Sequence, residues 1–286
     1  MKKNRFVLLL SLGDSLISLS YLNQLDKDIV ILGTRHTENI AKLIDVNKKV
    51  DVEIVFDDIP AFYDIKKRGI FKAVLDFYRF INYLKVNKID SLVFEKNDFR
   101  TSILSLLTNI EVYHQDDKNN KIYNYRQKLI ENIFQKKIDL GTYTLKLKQP
   151  KVIVINPLTR EEYRNIKHEH LKFMIDILNK NHYEIYLIDI EKKYQNFKNS
   201  VQYYLTNTTL QDVKNLINRC DLYIGGDSFL IHLAYYLKRN YFIFFYREND
   251  DFLPPNILED FYIKINESID LNSVLEKKFK NIGLVR

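Results

Sequence analysis

Residues 220–246 read CDLYIGGDSFLIHLAYYLKRNYFIFFY, and the order of features in this stretch decides the fold. A short apolar run at 222–224 meets two glycines, Gly225 and Gly226. Asp227 and Ser228 follow at an expected helix start, and a second apolar run closes the unit. Glycine lets a backbone turn sharply at the end of a strand. Asp and Ser are favoured helix caps, and a helix N-terminus presents amide groups that bind an anion. Strand, glycine turn, capped helix and strand in that order form the phosphate-binding unit of an α/β protein.

Outward from this stretch the same alternation fills the chain. In the first half the apolar runs predict strands at 5–12, 29–33, 52–56, 91–95 and 110–113. Between them helical spacing predicts helices at 15–25, 37–44, 70–84 and 99–107, with an amphipathic segment at 125–134. Most of these strands are continuous apolar runs, as expected where helices cover both faces of a parallel sheet. Residues 138–150 lack a helical period and contain Gly141 and Pro150, which marks a linker. The pattern then restarts, with strands at 152–156, 185–190, 222–225, 241–246 and 262–265 and helices at 168–179, 210–219, 228–237 and 271–279. The reading is an α/β protein of two doubly wound, Rossmann-like domains, residues 1–140 and 150–286, facing a central cleft.

Bulk properties narrow the function. With 46% hydrophobic and 28% charged residues the composition is that of an ordinary soluble globular protein. One cysteine, Cys220, excludes an internal disulfide and fits a cytoplasmic location; ahead of a buried strand it reads as an apolar filler. The opening MKKNRFVLLLSLGDSL imitates an export signal, but the apolar run is short, Asp14 ends it, and a first strand fits better. The net charge of +7 is scattered, with small clusters near 66–68, 146–151 and 277–280. No basic stripe of a nucleic-acid module is present, so nucleic acid is not an expected partner. Attraction to an anionic membrane surface or an acidic acceptor is the functional reading, and a solvated positive surface the plain one.

Several residues can carry chemistry. Leu230, Leu233, Ala234 and Leu237 define a buried stripe on the helix after Asp227. His232 falls off that stripe, four residues after Ser228, where it can touch a bound diphosphate or bond to its own helix cap. Asp227 can be a ligand-binding carboxylate or an N-cap. Arg164 and Lys167, with Arg160 as a further candidate, stand before the helix at 168–179 and could reach a diphosphate, with Thr159 adding a hydroxyl. Adjacent pairs Asp57-Asp58, Asp116-Asp117 and Asp250-Asp251 point apart and lack the Asp-x-Asp spacing of metal-dependent transferases. His168-x-His170 fits no zinc motif, and a glycine-rich P-loop is missing. No metal or cofactor is expected.

DLYIGGDSFLIHLA at 221–234 resembles the C-terminal signature of glycosyltransferase family 9, the ADP-heptose heptosyltransferases, roughly D-L-x-I-G-x-D-S-G-x-x-H-L-A followed by a strand. LLSLGDSL at 9–16 resembles the family's first strand and its G-D-x-x loop, with Gly13 and Asp14 as the loop residues. Asn156-Pro157 and RNIKHEHL at 164–171 resemble the opening of the family's second domain. The resemblance implies a GT-B fold, an acceptor bound mainly by the first domain and a nucleotide sugar bound by the second. It implies inversion at the anomeric carbon without a metal, with Asp14 as the base that removes the acceptor's hydroxyl proton. Capping of the following helix is the other reading of Asp14. Implied donor contacts are Asp227, Ser228, Phe229, His232, Arg164, Lys167 and Thr159, carried on the Gly225-Gly226 turn. The product would be a bacterial surface glycan such as a lipopolysaccharide or lipooligosaccharide core, made at the cytoplasmic side of the inner membrane, with peripheral membrane contact. Phe229 replaces the family's glycine after Asp-Ser, which puts the donor's identity in question. A non-catalytic nucleotide-sugar or glycan-binding member of the same fold is the alternative. An epimerase or dehydrogenase would need an early Gly-x-Gly-x-x-Gly, and the first loop holds Gly13 alone.

Overall fold

The computed structural model describes residues 4–9, 11–94, 98–114, 121–141, 143–246, 250–265 and 270–285. The chain divides into two compact units, Met1–Leu140 and Gly141–Arg286.

In the first unit, β1 (Asn4–Leu8), α1 (Leu12–Leu22), β2 (Ile29–Thr34), α2 (Arg35–Leu43) and β3 (Val50–Phe56) alternate as the apolar runs require. Then come the short α3 (Ile65–Arg68), α4 (Ile70–Val86), β4 (Ser91–Phe94), α5 (Phe99–Thr108), β5 (Glu111–Tyr113) and α6 (Ile122–Phe134). All strands are parallel and ordered β3-β2-β1-β4-β5, so the chain reverses its winding direction between β1 and β4. β2, with neighbours on both sides, is buried along its whole length, while the edge strand β3 is partly exposed. Val7, Val30 and Leu92 of the sheet pack with Ala73, Phe80 and Leu84 of α4 in one apolar cluster. Burial of side chains of this size contributes about 1.5–3 kcal/mol each, which holds α4 to the sheet.

β1 stops earlier than the apolar run suggests. Ser11 takes extended backbone and caps α1, its Oγ accepting from the Asp14 amide at 3.4 Å. Gly13 and Asp14 therefore lie in the first turn of a helix, not in a strand-end loop. Leu10, within the expected strand, is outside the described residues, as are Glu95 and the Asp116-Asp117 pair.

The second unit contains β6 (Val152–Asn156), α7 (His168–Lys180), β7 (Glu184–Ile188), β8 (Tyr203–Leu205), α8 (Leu210–Arg219) and β9 (Leu222–Gly226). It closes with α9 (Phe229–Tyr236), β10 (Tyr241–Phe245), β11 (Tyr262–Lys264) and α10 (Leu271–Asn281). The sheet is again all parallel, ordered β11-β10-β9-β6-β7-β8, with its switch of winding direction between β6 and β9. α7 buries Leu171, Met174, Ile175 and Leu178 at helical spacing, and Thr209 and Asp212 cap α8 reciprocally. The three-residue edge strand β8 has no counterpart in the sequence pattern, because three residues are too few to show a period.

Two expectations for the central motif are corrected. Gly225 and Gly226 do not form a turn; both are ladder residues of β9, paired with Ile243 and Phe244 of β10. Nor does falling off the apolar stripe leave His232 on an open face of α9. Leu230 through Tyr235 are all buried, His232 among them, because the short helix is covered on every side.

Candidate active site

Doubly wound sheets bind ligands beyond the carboxyl ends of their strands, at the point where winding direction changes. In the second unit that point lies between β6 and β9, where Asn156 pairs with Gly225. The chain leaving β6 folds back on itself: the Thr159 amide donates to Asn165 Oδ1 at 2.7 Å and Thr159 Oγ1 donates to the Glu161 carbonyl at 2.7 Å. This holds a one-turn 3-10 segment, Glu162–Arg164, which turns Arg164 inward. Arg164 is buried, and its Nη1 donates to Asp227 Oδ2 at 3.3 Å and to the Asp227 carbonyl at 3.2 Å. Loop and strand end are thus joined by an ion pair in which Asp227 is 5% exposed. Low dielectric makes such a pair costly to break on one side only.

The glycines explain why loop and strand fit. A Cβ on Gly226 would stand 2.5 Å from Thr159 Cγ2 and 3.1 Å from the Arg164 carbonyl oxygen. A Cβ on Gly225 would stand 2.5 Å from the Tyr223 hydroxyl. Both positions need glycine for close approach and not for a special backbone angle. Ser228 is the N-cap of α9, but its side chain makes no capping bond. Arg164 Nε is buried here without a hydrogen-bond partner among the described residues, while the buried Tyr223 hydroxyl is shared with Asn156 and Ser228. Natural proteins keep few such atoms, so the unpartnered guanidinium nitrogen marks this strand end as a place where a polar group can be held for something outside the chain. Burial pushes the Tyr223 phenol up, which keeps it a neutral donor.

Of the residues singled out by sequence, the structure brings together Thr159, Arg164, Gly225, Gly226, Asp227 and Ser228, with Phe229 opening α9 and His232 one turn further on. Thr159 spends its hydroxyl inside the loop. Lys167 caps α7 with its side chain exposed, and Arg160 is exposed 3.9 Å from Glu161. Asp221, the first residue of the 221–234 motif, is structural: its Oδ2 accepts from the Lys151 and Val152 amides at 2.8 and 2.9 Å, aligning β6 beside β9. His168 stacks on Tyr194 with ring centroids 4.5 Å apart, whereas His170 faces Asn272. Among the described residues no group of three or more His, Cys, Asp or Glu side chains is placed to hold a metal. Cys220 is buried and its thiol is pushed up to about 12 by that burial, so it is no nucleophile.

In the first unit Asp14 stands beyond the carboxyl end of β1, beside that sheet's own change of winding direction. Ser11 Oγ donates to its Oδ2 at 2.6 Å, and Arg126 Nη2 from α6 donates to its Oδ1 at 2.6 Å. Arg126 Nη1 also donates to the Asp14 carbonyl oxygen. The Arg126 side chain is 2% exposed and that of Asp14 24% exposed, so the carboxylate is held firmly with one side toward solvent. The Asp14 side chain is not the helix cap, since Ser11 fills that role.

Sequence reading missed Arg126, Ser11 and Asn165. Ser11 carried a legible signal, because Ser-x-x-Asp ahead of an apolar run is a helix start. Arg126 carried none: it is 112 residues from Asp14, inside an amphipathic helix.

The fold of two parallel sheets in tandem has solved counterparts. E. coli heptosyltransferase WaaC with ADP has a TM-score of 0.67 to this chain at 15% identity, covering 98% of this chain and 99% of that one. E. coli ADP-heptose lps heptosyltransferase II gives 0.60 at 13% identity, covering 98% of each chain. The family 9 glycosyl transferase of Veillonella parvula gives 0.63 at 14% identity, covering 100% of this chain and 91% of that one. No curated protein matches by sequence. The fold is that of GT-B glycosyltransferases, and the protein is a glycosyltransferase. Residues 123–264, which include Arg126 and the whole Thr159–His232 site, match the model of glycosyltransferase family 9 (heptosyltransferase), so this part of the chain is a family 9 domain.

Proposed function

We propose that this protein is an inverting sugar transferase that moves heptose from a nucleotide-diphosphate donor onto a bacterial surface glycan such as a lipopolysaccharide core. The observation that carries the reading is the buried Arg164–Asp227 pair, whose Arg164 Nε is left without a partner among the described residues, inside the family 9 domain. The structural relatives include one solved with ADP and one with ADP-2-deoxy-2-fluoro heptose, which favours an adenosine diphosphate sugar as donor. On this reading the second unit binds the donor. Arg164, Lys167, Ser228 and the first amides of α9 face the diphosphate, where positive charge and helix-end amides stabilise a departing anion. Asp227 accepts from sugar hydroxyls while fixing Arg164, Thr159 shapes the loop, and Phe229 packs on the sugar or base. His232 steadies the first turn of α9.

The first unit takes the acceptor, and Asp14 is its base. As the acceptor oxygen bonds to the anomeric carbon, its proton passes to Asp14 and the bond to the diphosphate breaks with its electron pair leaving on the phosphate oxygen. Ser11 and Arg126 hold the Asp14 carboxylate in one orientation, which is the positioning a general base requires. The test is to mix purified protein with a panel of nucleotide sugars and lipopolysaccharide-core acceptors and to measure nucleoside diphosphate release. Acceptor-dependent release with ADP-heptose is the expected result. Donor binding with no turnover against any acceptor would favour the non-catalytic binding reading instead.

A further inference from the structure

Tyr223, Gly225 and Asn156 lie on one face of the second sheet. Residues two apart in a strand point the same way, which places Tyr223 and Gly225 together on β9. Asn156 of β6 is the register partner of Gly225. Gly225 carries no side chain, so the Tyr223 ring lies along the strand over it. The phenol oxygen is 2.5 Å from where a Gly225 Cβ would stand. The ring thus carries its hydroxyl toward the carboxyl end of β9, where it is shared with Asn156 and Ser228. Asn156 is buried, Tyr223 is 0% exposed, and the Ser228 hydroxyl is buried without capping its own helix. A phenylalanine would fill the same space as Tyr223 without burying a hydroxyl, which costs free energy unless the group is bonded. Three polar side chains converging beside the Arg164–Asp227 pair therefore have a task other than packing.

The proton count fixes the direction of the bonds. Asn156 Oδ1 accepts from the Leu158 amide at 3.3 Å, so its side-chain NH2 is what Asn156 offers to Tyr223. With the phenol oxygen accepting from Asn156, the Tyr223 proton turns to Ser228 Oγ. The Ser228 proton is then the one left over, at the start of α9. The reverse order would strand the phenol proton inside the sheet's covering layer, where water cannot satisfy it.

We propose that Asn156, Tyr223 and Ser228 form a hydrogen-bond relay in which Tyr223 is a positioning residue, turning the Ser228 hydroxyl proton toward the donor's diphosphate. On the reading that Ser228 meets the diphosphate, on which this relay rests, Tyr223 decides where that hydroxyl points. Each proton stays on its own atom, so the relay aims a donor and transfers nothing.

The experiment is a double-mutant cycle on ADP affinity, measured by calorimetry on the full chain with Tyr223→Phe, Ser228→Ala and the two combined. Tyr223→Phe keeps the ring over Gly225, so its circular dichroism melt should move by no more than about 2–4 °C. It should weaken ADP binding about five- to tenfold, and Ser228→Ala about tenfold or more, in line with a hydrogen bond to a charged group. The combined variant should bind ADP no more weakly than Ser228→Ala alone, because Tyr223 acts through that hydroxyl. A merely structural tyrosine would lower affinity equally in both backgrounds, and that result would overturn the relay. Wild-type affinity in Tyr223→Phe beside a weakened Ser228→Ala would overturn it too, and in both cases Ser228 keeps its place at the diphosphate. Wild-type affinity in Ser228→Ala, or no ADP binding by the wild type, would remove Ser228 from the donor site and the relay with it.

Discussion

Asp14 is gripped on both oxygens, by Ser11 at one and Arg126 at the other, and the two partners do different things. Ser11 fixes the start of α1; Arg126 neutralises and aims the carboxylate from a helix more than a hundred residues away. Arg126→Met should therefore destabilise the first unit by about 3 kcal/mol, the lower end for a half-broken buried pair because Asp14 keeps some hydration. Chemical denaturation checks this, and the same variant should lose turnover without losing donor affinity. In the second unit Arg164→Ala removes the guanidinium from which the buried Asp227 carboxylate accepts. It should weaken ADP binding about tenfold or more by calorimetry, in line with one lost charge-assisted contact. Unchanged ADP affinity in Arg164→Ala would remove that arginine from the donor site.

At the scale of elements, the fit of the 157–165 loop against the end of β9 is set by the missing Cβ of Gly226. Gly226→Ala pushes a methyl into Thr159, at a cost of about 1–3 kcal/mol for overpacking. Thr159→Ser removes the colliding methyl while keeping the hydroxyl, so the double variant should recover part of the loss in thermal stability and in donor KM. The alternation of strands and helices was legible from periodicity alone, because buried parallel strands are continuous apolar runs. What periodicity could not show was how the elements meet. The glycine pair reads locally as a turn, yet its requirement comes from Thr159 and Tyr223 pressing on the strand. His232 reads as off a buried stripe, yet α9 has no outer face, since β9, β10 and α8 pack around it. Arg164 and Asp227 were each legible as candidates; their pairing across 63 residues was not.

For the molecule as a whole, stability should decline at alkaline pH through phenols that brace the loop leaving β6. Tyr194 donates to the Ile166 carbonyl at 2.6 Å and Tyr246 to the Asn165 carbonyl at 3.1 Å. Burial pushes each phenol up to about 12. The unfolded chain releases these protons from about pH 10 while the folded chain keeps them, so the stabilisation is complete below pH 10 and is lost as pH rises toward about 12. Urea midpoints measured from pH 8 to about 11.5 should fall over the upper part of this range, and Tyr194→Phe with Tyr246→Phe should flatten the slope.

The division of labour assigned to the two units stands on Asp14 acting in the chemical step and not in donor capture. Acceptor-dependent ADP release at saturating ADP-heptose, compared between wild type and Asp14→Asn, tests this most directly. The variant should release ADP about a hundred- to ten-thousandfold more slowly with its ADP affinity intact. Release at the wild-type rate would contradict the assignment of the base and the mechanism built on it.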